Sequence, residues 1–217
     1  MKFRRMVLLL LSALLLTGCT PLSADPVPAN SYAPEDFAVV DGFLTYQGDS
    51  PSHVGVDVSS YQGEIDWAKV REAGVEFAII RVGFRGYTEG GLYEDSCFRQ
   101  NMEEALAAGL KVGAYFFSQA VTAQEAKEEA RYAMELLEGY ELTYPVVYDW
   151  ERQGAEDSRT RDTDGQTQTE CAVAFCQEVE ARGYQPMVYF SPSKAYSELD
   201  LEALLDWPFW LAHYTQD

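Results

Sequence analysis

From residue 53 onward, short apolar runs alternate with segments of helical periodicity, and this alternation limits the possible folds more than any other feature of the chain. Apolar runs of about four to eight residues bounded by turn residues are typical of buried strands, whereas longer segments with an apolar stripe are typical of helices. Repeated strand–helix units predict a parallel sheet with helices outside it. The predicted strands are 54–59, 77–83, 111–118, 145–151, 186–191 and 209–214, and the predicted helices are 66–73, 96–108, 122–138, 167–182 and 199–205.

Polar caps and glycines mark the ends of these helices. Thr122 with Glu125, and Thr167 with Glu170, predict capping boxes at the starts of the third and fourth helices. The third helix also carries an apolar stripe. Glycine favours the left-handed backbone that closes a helix, and Gly74, Gly109, Gly139 and Gly183 fall at or just past helix ends.

A parallel sheet of this kind is either open and doubly wound or closed into a barrel. Residues 59–63 follow the first apolar run and read Ser-Ser-Tyr-Gln-Gly, so this turn contains one glycine and no Gly-rich phosphate loop. Nucleotide binding is therefore disfavoured. We predict an α/β fold with a barrel-like sheet and an active site at the carboxyl ends of the strands.

Residues 1–18 are predicted to be a lipoprotein signal peptide. Lys2, Arg4 and Arg5 form a cationic start, and residues 6–16 form an apolar segment that is too short to span a membrane as a mature helix. The following Leu-Thr-Gly-Cys resembles a bacterial lipobox and predicts lipidation of Cys19. A plain transmembrane anchor or an ordinary cleaved signal remains the alternative.

Residues 19–50 are predicted to be a spacer, because proline, alanine and serine favour an extended chain. Apolar residues within 37–47 leave open the packing of this part on the domain. The catalytic domain is predicted to occupy residues 51–217. The order of lipid, spacer and domain predicts an extracytoplasmic protein anchored to the cell membrane through its N-terminal lipid.

Charge and cysteine usage exclude several partners. The formal net charge is −19, which argues against a nucleic-acid partner and gives no long-range attraction to an anionic cell wall. No spacing typical of metal ligands is present, His53 and His213 are isolated, and no metal or other cofactor is implied. Oligomeric state is not indicated. Three cysteines remain besides Cys19, and we expect them to be buried free thiols: Cys97, Cys171 and Cys176.

Three acidic residues lie at the ends of predicted strands. Asp57 is near the end of the first, and Asp149 and Glu151 close the fourth. The two-residue period of a strand places Asp149 and Glu151 on one face together with Val147, so that face is predicted to be interior. Burying two carboxylates side by side is costly, and such a pair can divide its roles between a protonated acid and an ionised group.

This division is what glycoside hydrolysis needs: one acid protonates the leaving oxygen and one carboxylate assists at the anomeric carbon. The alternative is an exposed strand end whose acids are solvated or paired with arginine. Asp57, which precedes two serines, could equally cap a turn. No Gly-x-Ser-x-Gly nucleophile motif competes with this interpretation.

Several motifs, in order along the chain, resemble glycoside hydrolase family 25. Residues 55–63 read Gly-Val-Asp-Val-Ser-Ser-Tyr-Gln-Gly and precede Ile-Asp-Trp at 65–67, which is similar to the opening of that family. Residues 77–81, 108–115, 145–151 and 209–214 match its second, third, Asp-x-Glu and sixth strands in turn. The resemblance covers about residues 54–217.

The resemblance implies an irregular TIM-like β/α barrel and an N-acetylmuramidase, which hydrolyses the β-1,4 bond from N-acetylmuramic acid to N-acetylglucosamine in the glycan strands of peptidoglycan. The proton donor of the family maps onto Glu151, its partner carboxylate onto Asp149 and its first-strand acid onto Asp57. Attack by the 2-acetamido group of the substrate is favoured over a direct enzyme nucleophile. Aromatic residues of the family's groove match Tyr115, Tyr189 and Trp210, and each of these could equally be part of the core.

The family pattern continues with two further strands after the sixth, whereas this chain stops at Asp217, so we expect a fragment rather than a defective protein. A non-catalytic peptidoglycan-binding lipoprotein is the alternative. A chitinase-like hydrolase is disfavoured, because Val147 and Tyr144 stand upstream of Asp149 where that class carries a longer series of acids.

Overall fold

The structure is a computed structural model that describes residues 32–212. The predicted signal peptide, the predicted lipidation site Cys19, the part of the spacer up to residue 31, and His213 and Tyr214 at the end of the sixth predicted strand lie outside the described residues.

Nine strands and five α-helices form the described part of the chain. The strands are β1 (Phe37–Val40), β2 (Phe43–Tyr46), β3 (Gly55–Val58), β4 (Phe77–Arg85), β5 (Leu92–Glu94), β6 (Lys111–Ser118), β7 (Val146–Trp150), β8 (Pro186–Phe190) and β9 (Phe209–Leu211). The helices are α1 (Trp67–Glu72), α2 (Phe98–Ala107), α3 (Ala123–Leu137), α4 (Gly165–Ala181) and α5 (Pro192–Ser197).

The main sheet is parallel and follows chain order. Its strands pair in the order β3-β4-β6-β7-β8-β9, and short β5 pairs antiparallel with the end of β4. Because each strand pairs with the next parallel strand along the chain, the sheet winds in one direction and curls into a half barrel, as in a β/α barrel. Within the described residues β3 and β9 are not paired with each other, so the half barrel is open on that side.

The predicted α/β class, its parallel sheet and all six of its strands are confirmed. A closed barrel is not formed by the described residues. Strand β5 was not predicted, because three residues of an antiparallel edge leave little periodicity. Gly83 allows β5 to approach, since a Cβ at this position would contact the backbone oxygen of Tyr93.

Two predicted helix boundaries are wrong for a physical reason. The fourth helix begins at Gly165, two residues before its predicted start, because the Asp164 side chain accepts a hydrogen bond from the Thr167 amide and caps the helix there. Residues 199–205 contain only a short 3-10 turn, whereas α5 forms earlier, where Ser191 caps a helix that begins with Pro192. Thr122 is the N-cap of α3 as predicted, through a hydrogen bond from the Glu125 amide.

The second half of the predicted spacer forms an antiparallel hairpin, β1–β2. Phe43 of this hairpin packs against the hydrophobic core, whereas the side chains of β1 are exposed. The proline content of the preceding residues gives no indication of this pairing.

Small residues let the helices pack closely on the outside of the sheet. The apolar stripe of α3 is buried as predicted, and α3 packs against α4. Cys171 and Cys176 on α4 are buried free thiols, as expected, whereas the free thiol of Cys97 is only partly buried. Burial raises the pKa of the Cys171 thiol to about 12. Between residues 32 and 212, no helix has both the length and the apolar character to span a membrane.

Candidate active site

A cleft of about 430 Å³ lies at the carboxyl ends of the parallel strands. Its floor contains one row of cross-strand neighbours, because Phe117 pairs with Asp149, Asp149 with Tyr189, and Tyr189 with Trp210. Side chains at paired positions lie on the same face of a sheet. All six residues predicted as catalytic or substrate-binding line this one cleft: Asp57, Tyr115, Asp149, Glu151, Tyr189 and Trp210.

Asp149 is the buried acid of the cleft. It is 8% exposed, and its Oδ1 atom has no hydrogen-bond partner among the described residues. Burial, followed by the neighbouring charge of Glu151, raises the pKa of Asp149 well above its usual range. The neutral form of Asp149 is therefore favoured to higher pH than in an ordinary aspartate.

Glu151 differs from Asp149 although only one residue separates them. Strand β7 ends at Trp150, so Glu151 stands just beyond the sheet and its side chain is exposed. It nevertheless faces the cleft, and it also lines a second cavity of about 440 Å³ next to it. The prediction that both acids share one interior face is thus correct for Asp149 and wrong for Glu151, because the strand stops between them.

Asp57 completes the group of three carboxylates. It lies on β3, on the open wall of the cleft, and partial loss of hydration raises its pKa. The negative charge of Asp57 also contributes to the raised pKa of Asp149. Both other acids therefore act electrostatically on Asp149, which suits a site that handles a proton.

Aromatic side chains form much of the remaining lining. Tyr115, Tyr189 and Trp210 are each partly buried, which is intermediate between a core position and a freely exposed one. The rings of Tyr189 and Trp210 meet edge to face with their centres 5.2 Å apart. Tyr61, whose role the sequence did not suggest, is 85% exposed at the rim. Such rings offer flat apolar faces with polar edges, which suits a sugar.

Arg81 is a second cleft residue that was not singled out from the sequence. Its Nε atom donates a hydrogen bond of 2.7 Å to Asp95, its Nη2 atom donates one of 3.1 Å to Ser60, and its guanidinium lies 4.9 Å from the ring centre of Tyr61. Its positive charge opposes the raised pKa of Asp149. Only the fold brings Asp95, which directly follows β5, under this arginine.

Within the described residues, no group of three or more His, Cys, Asp or Glu side chains is arranged to hold a metal ion. The chemistry available in the cleft is that of carboxyl groups, an arginine and aromatic rings. A curled parallel sheet that carries acids and aromatic residues at the carboxyl ends of its strands is typical of glycoside hydrolases.

The chain belongs to glycosyl hydrolases family 25, because the model of that family matches residues 56–217. Uncharacterized protein YegX of Escherichia coli O6:H1 is 31% identical over 172 residues, which cover 75% of this chain and 56% of YegX. Lysozyme M1 of Streptomyces globisporus is 44% identical over 64 residues, 30% of this chain and 20% of that protein. The chain thus spans little more than half of YegX and a smaller part of Lysozyme M1.

Among solved structures, the modular autolysin LytC of Streptococcus pneumoniae superposes with a TM-score of 0.70 at 26% sequence identity. The match covers 83% of this chain and 44% of LytC. LytC has also been solved in complex with a synthetic peptidoglycan ligand. These similarities agree with the class that the fold and the cleft define.

Proposed function

We propose that this chain is a muramidase that hydrolyses the β-1,4 bond between N-acetylmuramic acid and N-acetylglucosamine in peptidoglycan. The observation that carries the proposal is the meeting of Asp57, Asp149 and Glu151 with an aromatic lining in one cleft. Family membership, the lysozyme relative and the peptidoglycan complex of LytC support the same substrate class.

In the proposed mechanism, Asp149 and Glu151 share one proton. Burial keeps that proton on Asp149 while the cleft is open. When a sugar is bound, Asp149 passes this proton to Glu151, which donates it to the leaving oxygen. Asp149, which lines the cleft and is then ionised, accepts a hydrogen bond from the N–H of the substrate's 2-acetamido group and orients that group for attack at the anomeric carbon.

The other cleft residues have supporting roles in this proposal. Tyr115, Tyr189 and Trp210 bind the sugar rings. Asp57 adds negative charge opposite Asp149 and stabilises the positive charge that develops at the anomeric carbon. No cofactor takes part. We further propose that lipidation at Cys19 anchors the protein outside the cytoplasmic membrane, next to its substrate; the leader sequence supports this placement.

Glu151→Gln tests the proposal directly. A general acid contributes about 100-fold to 10,000-fold to a rate, so we expect at least a 100-fold loss of reducing-end release from purified peptidoglycan. Glu104→Gln, an acid on α2 outside the cleft, is the matched control and should keep wild-type activity.

The products identify the bond. After borohydride reduction, a muramidase yields reduced muramic acid, whereas cleavage of the other glycosidic bond yields reduced glucosamine. Wild-type activity in Glu151→Gln would remove this residue as the proton donor. Binding to peptidoglycan with no cleavage by the wild-type chain would instead favour a non-catalytic wall-binding lipoprotein.

A further inference from the structure

The two peptide groups that flank Glu151 are each held by a side chain from a neighbouring element. Lys194 on α5 donates a hydrogen bond of 2.6 Å from Nζ to the carbonyl oxygen of Trp150. Gln119, directly after β6, donates one of 2.6 Å from Nε2 to the carbonyl oxygen of Glu151. Because peptide groups are planar, fixing the plane on each side of a residue fixes its two backbone dihedral angles.

Glu151 depends on these contacts because the sheet ends before it. The pairing of β7 with β6 ends at Trp150, and its pairing with β8 ends at Asp149. The Glu151 side chain is exposed and therefore has little packing to restrict its direction. The orientation of its backbone is what remains to aim the carboxyl group into the cleft.

The side-chain amide of Gln119 is held in place by further hydrogen bonds. Gln119 is fully buried, and its Oε1 atom accepts a hydrogen bond of 2.9 Å from the Thr160 hydroxyl. Its Nε2 atom also donates to the carbonyl oxygen of Ser118, at 2.8 Å. The Thr160 hydroxyl thus determines which end of the amide faces Glu151, so that a donor meets its carbonyl.

Lys194 contributes a positive charge to the site as well as a hydrogen bond. Its ammonium lies 4.1 Å from the ring centre of Trp150, and burial lowers its pKa to about 8. The charged groups that face it are Glu198, Glu151 and Asp149, which favour the ammonium form, and Arg152, which opposes it. Lys194 is thus mostly protonated at neutral pH, and its charge favours the ionised form of Asp149.

We propose that Gln119 and Lys194 are positioning residues, which hold the backbone on both sides of Glu151 so that its carboxyl group faces the bond to be cleaved. This inference rests on the proposed function, because it takes Glu151 as the proton donor. Both residues act through the backbone of Glu151 and need not touch the substrate.

The test measures kcat and KM of the full chain on soluble glycan strands freed of peptide. Gln119→Met and Lys194→Met keep the approximate size of each side chain and remove the donor. We expect kcat to fall about 10-fold or more in each variant with KM changed less than about 2-fold, since misplacement of a catalytic group acts on the reaction step. Lys194→Arg, which keeps a charged donor, should recover part of the lost kcat.

The pH profile separates the two residues. The charged groups that face Asp149 are Glu151, Asp57, Lys194 and Arg81, and loss of one cation from this set raises its pKa further. Lys194→Met should therefore move the pH profile of kcat to higher pH, whereas neutral Gln119→Met should lower kcat without moving the profile. A purely structural role would produce neither this shift nor this difference.

Thr169→Val is the matched control, because it removes a buried hydroxyl of α4 that donates to the Gly165 carbonyl oxygen, away from the cleft. It should keep wild-type kcat at a comparable loss of thermal stability. If Gln119→Met does not fold, Thr160→Val removes the hydroxyl that orients the same amide and should lower kcat in the same direction.

Three results are decisive. Unchanged kcat in the folded Gln119 and Lys194 variants, or a rise in KM alone, overturns the positioning role if Glu151→Gln is inactive. An unmoved pH profile in Lys194→Met overturns the electrostatic part. Wild-type activity in Glu151→Gln instead contradicts the proposed function itself, so the two failures are distinguishable.

Discussion

Asp149 and Glu151 are separated by one residue, yet their surroundings differ because β7 ends at Trp150. The last strand residues keep Asp149 inside the curled sheet, and Glu151 emerges at the rim. A sequence pattern can place two acids on one face, but it does not tell where hydrogen bonding to neighbouring strands stops. The division of roles between the two acids thus depends on the strand end as much as on the residues.

Asp149→Asn tests how far the burial of this carboxyl group lowers the stability of the folded protein. The raised pKa of Asp149 means that the folded state keeps a proton that the unfolded chain releases above about pH 4. This residue therefore makes the wild-type protein less stable as pH rises above about 4, and asparagine removes that loss. We expect Asp149→Asn to be more stable than wild type at pH 7, with the difference disappearing below about pH 4, and to lose most of its activity.

Thermal unfolding midpoints at a series of pH values between about 3.5 and 8 measure this effect. Asp206→Asn, an exposed acid outside the cleft, is the control and should follow the wild-type pH dependence. A variant that is less stable than wild type at pH 7 would show that Asp149 is ionised and held by favourable contacts in the open cleft.

At the scale of elements, the same local pattern had two outcomes. A threonine followed three residues later by glutamate occurs at Thr122 and at Thr167, but only Thr122 caps a helix. At the second position, the side chain of Asp164, three residues earlier, accepts a hydrogen bond from the Thr167 amide and caps the helix instead. Local signals therefore located both helices, while competition between nearby caps decided where the second one starts.

Thr122→Ala and Thr167→Ala are a matched pair for this difference. Loss of an N-cap hydroxyl costs about 1 kcal/mol, so Thr122→Ala should lower the free energy of unfolding by about that amount. Thr167→Ala removes no cap and should change it by less than about 0.5 kcal/mol, because alanine is a good helix former. Denaturant unfolding measures both, and equal losses in the two variants would contradict the assignment.

At the scale of the whole molecule, sequential parallel pairing explains why residues far apart in the chain meet. Asp57 on β3, Tyr115 on β6 and Trp210 on β9 lie at one edge of the sheet, because parallel strands all point their carboxyl ends the same way. The high negative charge gives no general attraction to an anionic wall. The proposed lipid tether would keep the protein close to its proposed substrate without such attraction.

Metabolic labelling with a fatty acid tests the tether. We expect the full chain expressed in bacteria to incorporate the label, Cys19→Ala to lose it, and Cys97→Ala, the control, to retain it. A wild-type chain that remains unlabelled would contradict lipidation and leave an ordinary cleaved signal as the interpretation of the leader.

Much of the fold and of the cleft was predictable from the sequence. Periodicity located all six parallel strands because burial on the sheet demands apolar residues at regular spacing. Asp57, Asp149 and the aromatic residues could be assigned to one site because they end strands that run parallel. Arg81 with Asp95 could not, since their contact depends on a short antiparallel strand with too few residues to show a pattern.

The sequence by itself therefore determined the order of the six parallel strands and of helices α1 to α4, and the edge of the sheet where polar residues collect, because these follow from local periodicity. The tertiary structure alone decided that Asp149 is buried while Glu151 is exposed, and that Gln119 and Lys194 meet the backbone on either side of Glu151. Those contacts join residues 32 and 44 positions apart, and only the curvature and pairing of the sheet bring them within hydrogen-bonding distance.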